Sequence, residues 1–168
     1  MKTSTLFLTF LMLALTLNMY SQQTQTVTDE GKSYSVEIPS GWVHGASKNI
    51  YVSVLVCSDT LHAGEILNIT DAKNSSNLEK AYKVNKNAMS DLKKFKVLEE
   101  GNSTIGGQES KWFVYTFDSK DGTVHMKGKY YTVKYSGRGF SIQYLLPEKR
   151  FDEMKDIFEK MISTLKFN

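Results

Sequence analysis

Three short turns divide the second half of the sequence into four segments with the pattern of β-strands. The turns are Gly106-Gly107, Lys120-Asp121-Gly122 and Ser136-Gly137-Arg138-Gly139. The predicted strands are Lys96–Glu100, Glu109–Asp118, Thr123–Tyr135 and Phe140–Tyr144. Because connections this short join neighbouring strands, the later strands are adjacent and antiparallel in the predicted sheet.

Three further strands are predicted in the first half of the chain. Tyr34, Val36 and Ile38 alternate with polar residues, which indicates a strand with one buried face. The segment Ile50–Cys57 is a continuous apolar run, which is typical of a strand covered on both faces. Glu65–Ala72 is the third predicted strand, and a polar turn separates it from the second.

Two amphipathic segments predict the helices that cover this sheet. Ser76 and Glu79 have the spacing of a capping box, and an apolar stripe at helical spacing extends from there to Phe95. Pro147 begins the second helix, where its missing amide hydrogen costs nothing, and an apolar stripe follows as far as Leu165. The order of elements predicts an α+β domain, an antiparallel β-sheet of about six to seven strands flanked by two main helices.

The amino-terminal segment has the three parts of a secretory signal peptide. Lys2 supplies a positive start, Leu6–Leu17 is a mostly apolar run, and Ser21 is a small residue at a polar boundary. The run is shorter than the roughly 20 residues that a membrane-spanning helix needs. We expect cleavage between Ser21 and Gln22, which makes residues 1–21 the signal, 22–26 a polar leader and 27–168 a single domain. The mature chain is then extracytoplasmic, periplasmic or secreted, with no membrane span.

Charge and cysteine content exclude several classes of protein. The net charge is +3, and only Arg138 and Arg150 among the 21 basic residues are arginine. Both observations argue against a dedicated nucleic-acid binder, because arginine is the residue that recognises phosphate and base edges in a bidentate manner. Cys57 is the only cysteine, so stability comes from packing rather than from an internal disulfide. The lysine-rich, arginine-poor composition favours a bacterial source.

One segment carries residue types that bind transition metals. Cys57, Asp59, His62 and Glu65 lie within nine residues of one another. The sequence contains no H-x-x-x-H, C-x-x-C or H-E-x-x-H motif, and a polar loop between two strands also favours Asp and His. A metal site on Asp59, His62 and Glu65 and an ordinary loop therefore both remain open.

The sequence offers no set of residues with a recognisable catalytic pattern. There is no G-x-S-x-G nucleophile elbow, and His44, His62 and His125 lie in separate segments. We therefore predict that the chain is not an enzyme, and we predict no cofactor.

A basic and aromatic strip is the predicted binding surface. His125, Lys127, Lys129 and Tyr131 share one face of a strand, because side chains alternate with a period of two. Such a strip suits an acidic protein partner or a glycan, and the alternative is an ordinary exposed sheet face.

Three local patterns resemble those of the PsbP-like superfamily, which includes PsbP and the DcrB-type extracytoplasmic proteins. They are Tyr34–Pro39 followed by Trp42, Ile105-Gly106-Gly107 between two strands, and the closing helix that ends Ile162–Phe167. The resemblance covers Val27–Asn168. It implies an antiparallel sheet flanked by helices that is used for binding or assembly rather than for catalysis.

The predicted function is therefore a non-enzymatic extracytoplasmic binding or assembly-assisting module. Its expected partner is an unknown protein or glycan of the cell envelope. One alternative is a metal-binding protein or small hydrolase that uses the Cys57–Glu65 segment. The other is a structural subunit of an envelope complex.

Overall fold

The computed structural model of the chain describes residues 23–29, 33–45, 54–57, 66–72 and 77–168, and within them ten strands and two helices. The helices are α1 (Leu78–Ala88) and α2 (Glu148–Ser163). The strands are β1 (Thr24–Thr28), β2 (Tyr34–Pro39), β3 (Val43–Gly45), β4 (Val54–Cys57), β5 (Ile66–Ala72), β6 (Lys96–Ile105), β7 (Gln108–Asp118), β8 (His125–Tyr135), β9 (Arg138–Pro147) and β10 (Lys166–Phe167).

Seven of these strands form one antiparallel sheet, in the order β3-β4-β5-β9-β8-β7-β6. The strands β6 to β9 are neighbours in chain order, as the short turns predict. The other three strands form a small antiparallel sheet in the order β1-β2-β10. The predicted α+β class and the antiparallel sheet flanked by two helices are confirmed.

The helix α2 and the small sheet cover one face of the large sheet. Phe158 of α2 is fully buried and stacks on Tyr144 of β9, with ring centroids 5.2 Å apart. Burying a side chain of this size contributes about 1.5–3 kcal/mol before the entropy of ordering is subtracted. The apolar side chains that complete this layer include Val36, Ile38, Ile69, Phe140, Ile142, Leu146, Met161 and Ile162.

The helix α1 covers part of the opposite face. Its residue Tyr82 packs edge-on against Phe113 of β7, at 5.8 Å between ring centroids, and Tyr115 of the same strand is also buried. Trp112 and Val114 of β7 belong instead to the α2 layer. Successive residues of a strand point to opposite faces, so β7 contributes aromatic side chains to both layers.

The boundaries of α1 differ from the prediction at both ends. Its N-cap is Asn77, whose side chain accepts a hydrogen bond from the Lys80 N–H at 2.7 Å, while Ser76 lies outside the described residues. The helix ends at Ala88 and does not continue to Phe95. The chain between them forms tight turns, and Lys94 has a φ of 56°, which an α-helix does not accommodate.

The polar leader predicted for residues 22–26 overlaps a strand. Thr24, Gln25 and Thr26 lie in β1, where Gln25 pairs with Ile38 of β2. Only Val27 of β1 is buried, so the segment has no apolar alternation that sequence could reveal. Within the described part of the chain, neither helix is long and apolar enough to cross a membrane.

Candidate functional site

A groove runs between α1 and the outer strand β6. It consists of two adjoining cavities of about 610 and 620 Å³, which share Glu79, Asn102 and Lys111. The other lining residues are Leu78, Tyr82, Lys83, Lys86, Asn87, Glu100, Gly101, Ser103, Thr104, Glu109 and Ser110.

The charged side chains of the groove are paired with one another. Lys111 Nζ lies 2.5 Å from a carboxylate oxygen of Glu79, and Lys86 Nζ lies 2.7 Å from one of Glu100. The Tyr82 hydroxyl donates to the same Glu100 oxygen at 2.5 Å. Lys86 Nζ lies 5.8 Å and Lys111 Nζ 5.3 Å from the centre of the Tyr82 ring, both within cation–π range.

These pairs move the pKa values of the groove away from neutrality. The hydrogen bond from Lys111 is the main cause that lowers the pKa of Glu79, and the bond from Lys86, followed by that from Tyr82, lowers the pKa of Glu100. Burial, and then the hydrogen bond to Glu100, raises the pKa of Tyr82. Groups whose pKa lies away from neutral pH are poor general acids and bases at that pH.

The strand β6 lies at one edge of the large sheet. Its turn into β7 has positive φ at both Gly106 (55°) and Gly107 (76°), as a type I′ hairpin requires. In such a hairpin the flanking pair, Ile105 and Gln108, exchanges hydrogen bonds, and bonded and non-bonded pairs alternate from there. The residues of β6 that turn their backbone N–H and C=O groups away from β7 are therefore Glu100, Asn102 and Thr104.

Gly101 has no side chain, and an aromatic ring of the neighbouring strand occupies the space where its side chain would lie. A Cβ atom at Gly101 would lie 2.7 Å from Cζ2 of Trp112, so the indole ring of β7 rests on the glycine backbone. Lys129 Nζ lies 4.5 Å from the centre of the same ring. Trp112 is half-buried, so part of this residue is accessible.

No family model matches the sequence, and neither does any curated protein. Two solved structures are similar over most of their length and most of this chain. Cyanobacterial PsbP from Synechocystis sp. PCC 6803 superposes with a TM-score of 0.63 at 16% identity, covering 90% of this chain and 96% of that chain. The chain has the PsbP-like fold. LpqN of Mycobacterium tuberculosis, a protein involved in cell envelope biogenesis, also has a TM-score of 0.63, at 8% identity, covering 89% of this chain and 87% of that one.

A third structure extends the same comparison. A protein of Bacteroides thetaiotaomicron has a TM-score of 0.61 at 15% identity, and the match covers 87% of this chain. This chain spans about half of that protein, 49% of its length. The structural resemblance predicted from the sequence patterns is therefore confirmed, and at these identities it establishes the fold alone.

In this PsbP-like domain, α2 covers most of the basic and aromatic strip on β8. Tyr131 is only 3% exposed, and its hydroxyl donates to both carboxylate oxygens of Glu159 on α2, at 2.6 and 2.7 Å. Lys129 Nζ lies 3.0 Å from the same carboxylate. Lys127 Nζ lies 4.5 Å from the centre of the Phe151 ring. The strip shares one face, as predicted, but α2 occupies that face.

His125 is the member of the strip that remains accessible, with 45% of its side chain exposed. Its Nδ1 atom lies 2.6 Å from Asp118, and its Nε2 atom lies 3.6 Å from Glu148 at the start of α2. The hydrogen bond from Lys94, followed by the one from His125, lowers the pKa of Asp118. Binding by the strip stays a prediction, and a partner would reach it from this end.

The predicted metal ligands Asp59, His62 and Glu65, and the predicted cleavage site at Ser21 and Gln22, lie outside the described residues. Cys57 is the last residue of β4, where it pairs with Ile66 of β5. Among the residues whose placement the structure gives, no three His, Cys, Asp or Glu side chains converge as metal ligands.

Sequence reasoning missed both the groove and Glu159. The lysines of α1 have the pattern of an ordinary exposed helix face, and nothing in that pattern identifies Lys111 and Glu100 as their neighbours. Glu159 is surrounded in sequence by the apolar stripe of α2, and helical periodicity does not indicate that two buried tyrosines donate to it. The glycine within β6, Gly101, is the one local signal of a close approach in this region.

Proposed function

We propose that the chain is a non-enzymatic extracytoplasmic module that binds a protein partner or assists assembly in the cell envelope. The groove between α1 and the free edge of β6 carries this proposal. It combines backbone groups that can pair with a partner strand and side chains that can contact the residues of that strand. The involvement of LpqN in cell envelope biogenesis supports the same direction.

The electrostatics of the groove favour binding over catalysis. Glu79 and Glu100 have lowered pKa values and Tyr82 has a raised one, so none of the three changes protonation near neutral pH. Each is also held by a partner within the groove, which leaves its position fixed. Such a surface recognises shape and charge rather than transferring protons.

The extracytoplasmic part of the proposal rests on the amino-terminal signal. We expect the full-length chain, expressed in a bacterial host with intact secretion, to leave the cytoplasm with Gln22 as its first residue. Mass spectrometry of the periplasmic and medium fractions measures this directly. Recovery of a cytosolic chain that still carries residues 1–21 would contradict the proposed location.

Site-specific photo-crosslinking tests the binding part. A photoreactive amino acid at Asn102, within the groove, should give crosslinks to a defined envelope protein. The same amino acid at Lys160, on the exposed side of α2, is the matched control and should not give that product. Equal crosslinking at the two positions, or none at Asn102 together with turnover in a hydrolase screen, would refute the binding module.

A further inference from the structure

The exposed edge of β6 is long and lacks the usual protection. Among the described residues β6 pairs with β7 alone, and its bulge is confined to the start, between Val97 and Glu99. Proteins normally block such edges with lysine, proline or a bulge, because free backbone groups recruit other strands. From Glu100 to Ile105 the sequence has neither lysine nor proline, and the charge of Glu100 is already paired with Lys86.

The two sides of this edge offer different surroundings to an added strand. Side chains of a strand alternate between faces, so consecutive residues of the added strand would point alternately to the two layers. Those opposite Glu100 and Asn102 would enter the polar groove along α1. The residue opposite Gly101 would point to the other face, beside the Trp112 ring.

The position opposite Gly101 is where a bulky side chain fits. Gly101 has no side chain to oppose it, and the indole of Trp112, a half-buried residue, covers the glycine backbone. Gly101 also forms a bonded pair with β7, so it faces an added strand as a non-bonded pair, in which side chains approach most closely. An apolar side chain at this point would contact the indole and remove it further from water.

A cation–π contact and a series of polar contacts link the Trp112 indole to α2. Lys129 Nζ lies 4.5 Å from the ring centre and 3.0 Å from Glu159, which in turn accepts the hydroxyl groups of Tyr131 and Tyr144. A ring fixed in this way offers a preformed contact surface, which lowers the entropy lost on binding.

We infer that β6 binds an extended polypeptide segment by strand addition, with one bulky apolar residue opposite Gly101 and polar residues on either side of it. The inference rests on the proposed function and names the chemistry of the partner. The backbone groups of Glu100, Asn102 and Thr104 pair with the segment, Trp112 receives the apolar side chain, and the groove receives its polar neighbours.

A second copy of the chain fits this edge poorly. Symmetric antiparallel pairing of two β6 strands centred on Gly101 or on Asn102 would place Gly101 or Ser103, respectively, opposite Gly101. Neither residue supplies an apolar side chain to Trp112. Centring on Ser103 would place Ile105 there, but Ile105 is already buried in the core of its own copy, and centring on Glu99 would run through the bulge of β6. The structure therefore favours a different polypeptide as the partner.

Selection from a displayed library of random ten-residue peptides tests the inference on the full chain. We expect enriched peptides to carry one bulky apolar residue between polar ones, and replacement of that residue by serine to weaken binding about tenfold or more. Alternate backbone amides of a bound peptide point toward β6 and away from it. N-methylation of the amides that point toward β6 should abolish binding, and N-methylation of the others should not. This peptide-side test leaves the protein unaltered, so it is independent of any folding defect.

Substitution of Asn102 tests the same edge from the protein side. Asn102→Pro removes an outward N–H but no hydrogen bond to β7, and it should weaken a selected peptide about tenfold or more in fluorescence anisotropy. Asn102→Ala retains the N–H and should lose much less, so the contrast isolates the backbone contact.

The outcomes separate this inference from the proposed function. Peptides that bind wild type and Asn102→Pro equally would overturn strand addition, while crosslinks from the groove would still support a binding module. A library that yields no binder would also overturn strand addition by another polypeptide. A dimer of the chain that Asn102→Pro abolishes and Asn102→Ala preserves would overturn it in favour of a second copy as the occupant. Loss of both the crosslinks and the selected peptides would remove the proposed function as well.

Discussion

Glu159 anchors α2 to the large sheet, and its substitution measures how much that anchor contributes to stability. The Glu159 carboxylate accepts hydrogen bonds from Tyr131 and Tyr144, whose residues are 3% and 1% exposed, and from Lys129. Glu159→Ala leaves two buried hydroxyl groups without this acceptor, at about 1–3 kcal/mol each. Because the Glu159 side chain is 37% exposed, water can enter the vacated position, and we expect a loss of about 2–4 kcal/mol in all.

Equilibrium denaturation, followed by tyrosine and tryptophan fluorescence, measures this loss. Glu159→Gln keeps a carbonyl oxygen that accepts one hydroxyl and should lose clearly less than Glu159→Ala. Glu153→Ala removes an exposed acid from the same helix and should change the unfolding free energy by no more than about 0.5 kcal/mol. If Glu159→Ala were as stable as Glu153→Ala, the carboxylate would not hold α2 in place and the reasoning would be refuted.

Two further predictions concern a crowded glycine and an acidic turn. Gly128→Ala places a Cβ atom 2.8 Å from the Tyr115 hydroxyl and should lower the free energy of unfolding by about 1–3 kcal/mol. Gly45→Ala is the control, because nothing lies within 4 Å of its added Cβ atom, and in the same denaturation assay it should cost no more than about 0.5 kcal/mol. Hydrogen bonds, first from the Ser119 hydroxyl, lower the pKa of Asp121 to about 2 from its usual 3.8. The stability that Asp121 contributes is therefore present above about pH 4 and lost as the pH falls through 2. The unfolding free energy of Asp121→Asn should fall less steeply between pH 4 and pH 2 than that of the wild type. An identical fall in the two proteins would contradict this role of Asp121.

The order and pairing of the main strands follow from sequence because local signals determine them. The turns at Gly106-Gly107 and around Gly137 are short, so the strands that flank them have no alternative to antiparallel pairing. The apolar stripe of α2 likewise identifies the face that packs on the sheet. By contrast, the sequence does not predict β1. This edge strand of the small sheet buries only Val27, and its other residues resemble a polar leader.

The candidate site depends on contacts that no local pattern contains. Glu79 and Lys111 are 32 positions apart, and Tyr82 and Glu100 are 18 apart, so their pairing appears only when α1 has packed against the sheet. The strip on β8 shows a second limit of prediction from local patterns. A period of two correctly places Lys129 and Tyr131 on one face, but it does not tell which element covers that face.

The small sheet has a consequence for how the chain is made on the ribosome. β2 pairs with β10, and the Glu37 N–H donates to the Thr164 hydroxyl 127 positions later. The apolar side of β2, with Tyr34, Val36 and Ile38, therefore emerges early in translation and finds its final neighbours only when the last turn of α2 and β10 have followed. Until then the nascent chain exposes this apolar surface. A chaperone that shields β2 would therefore raise the yield of native protein more than a chaperone that acts on the strands β6 to β9, which pair with their neighbours in chain order.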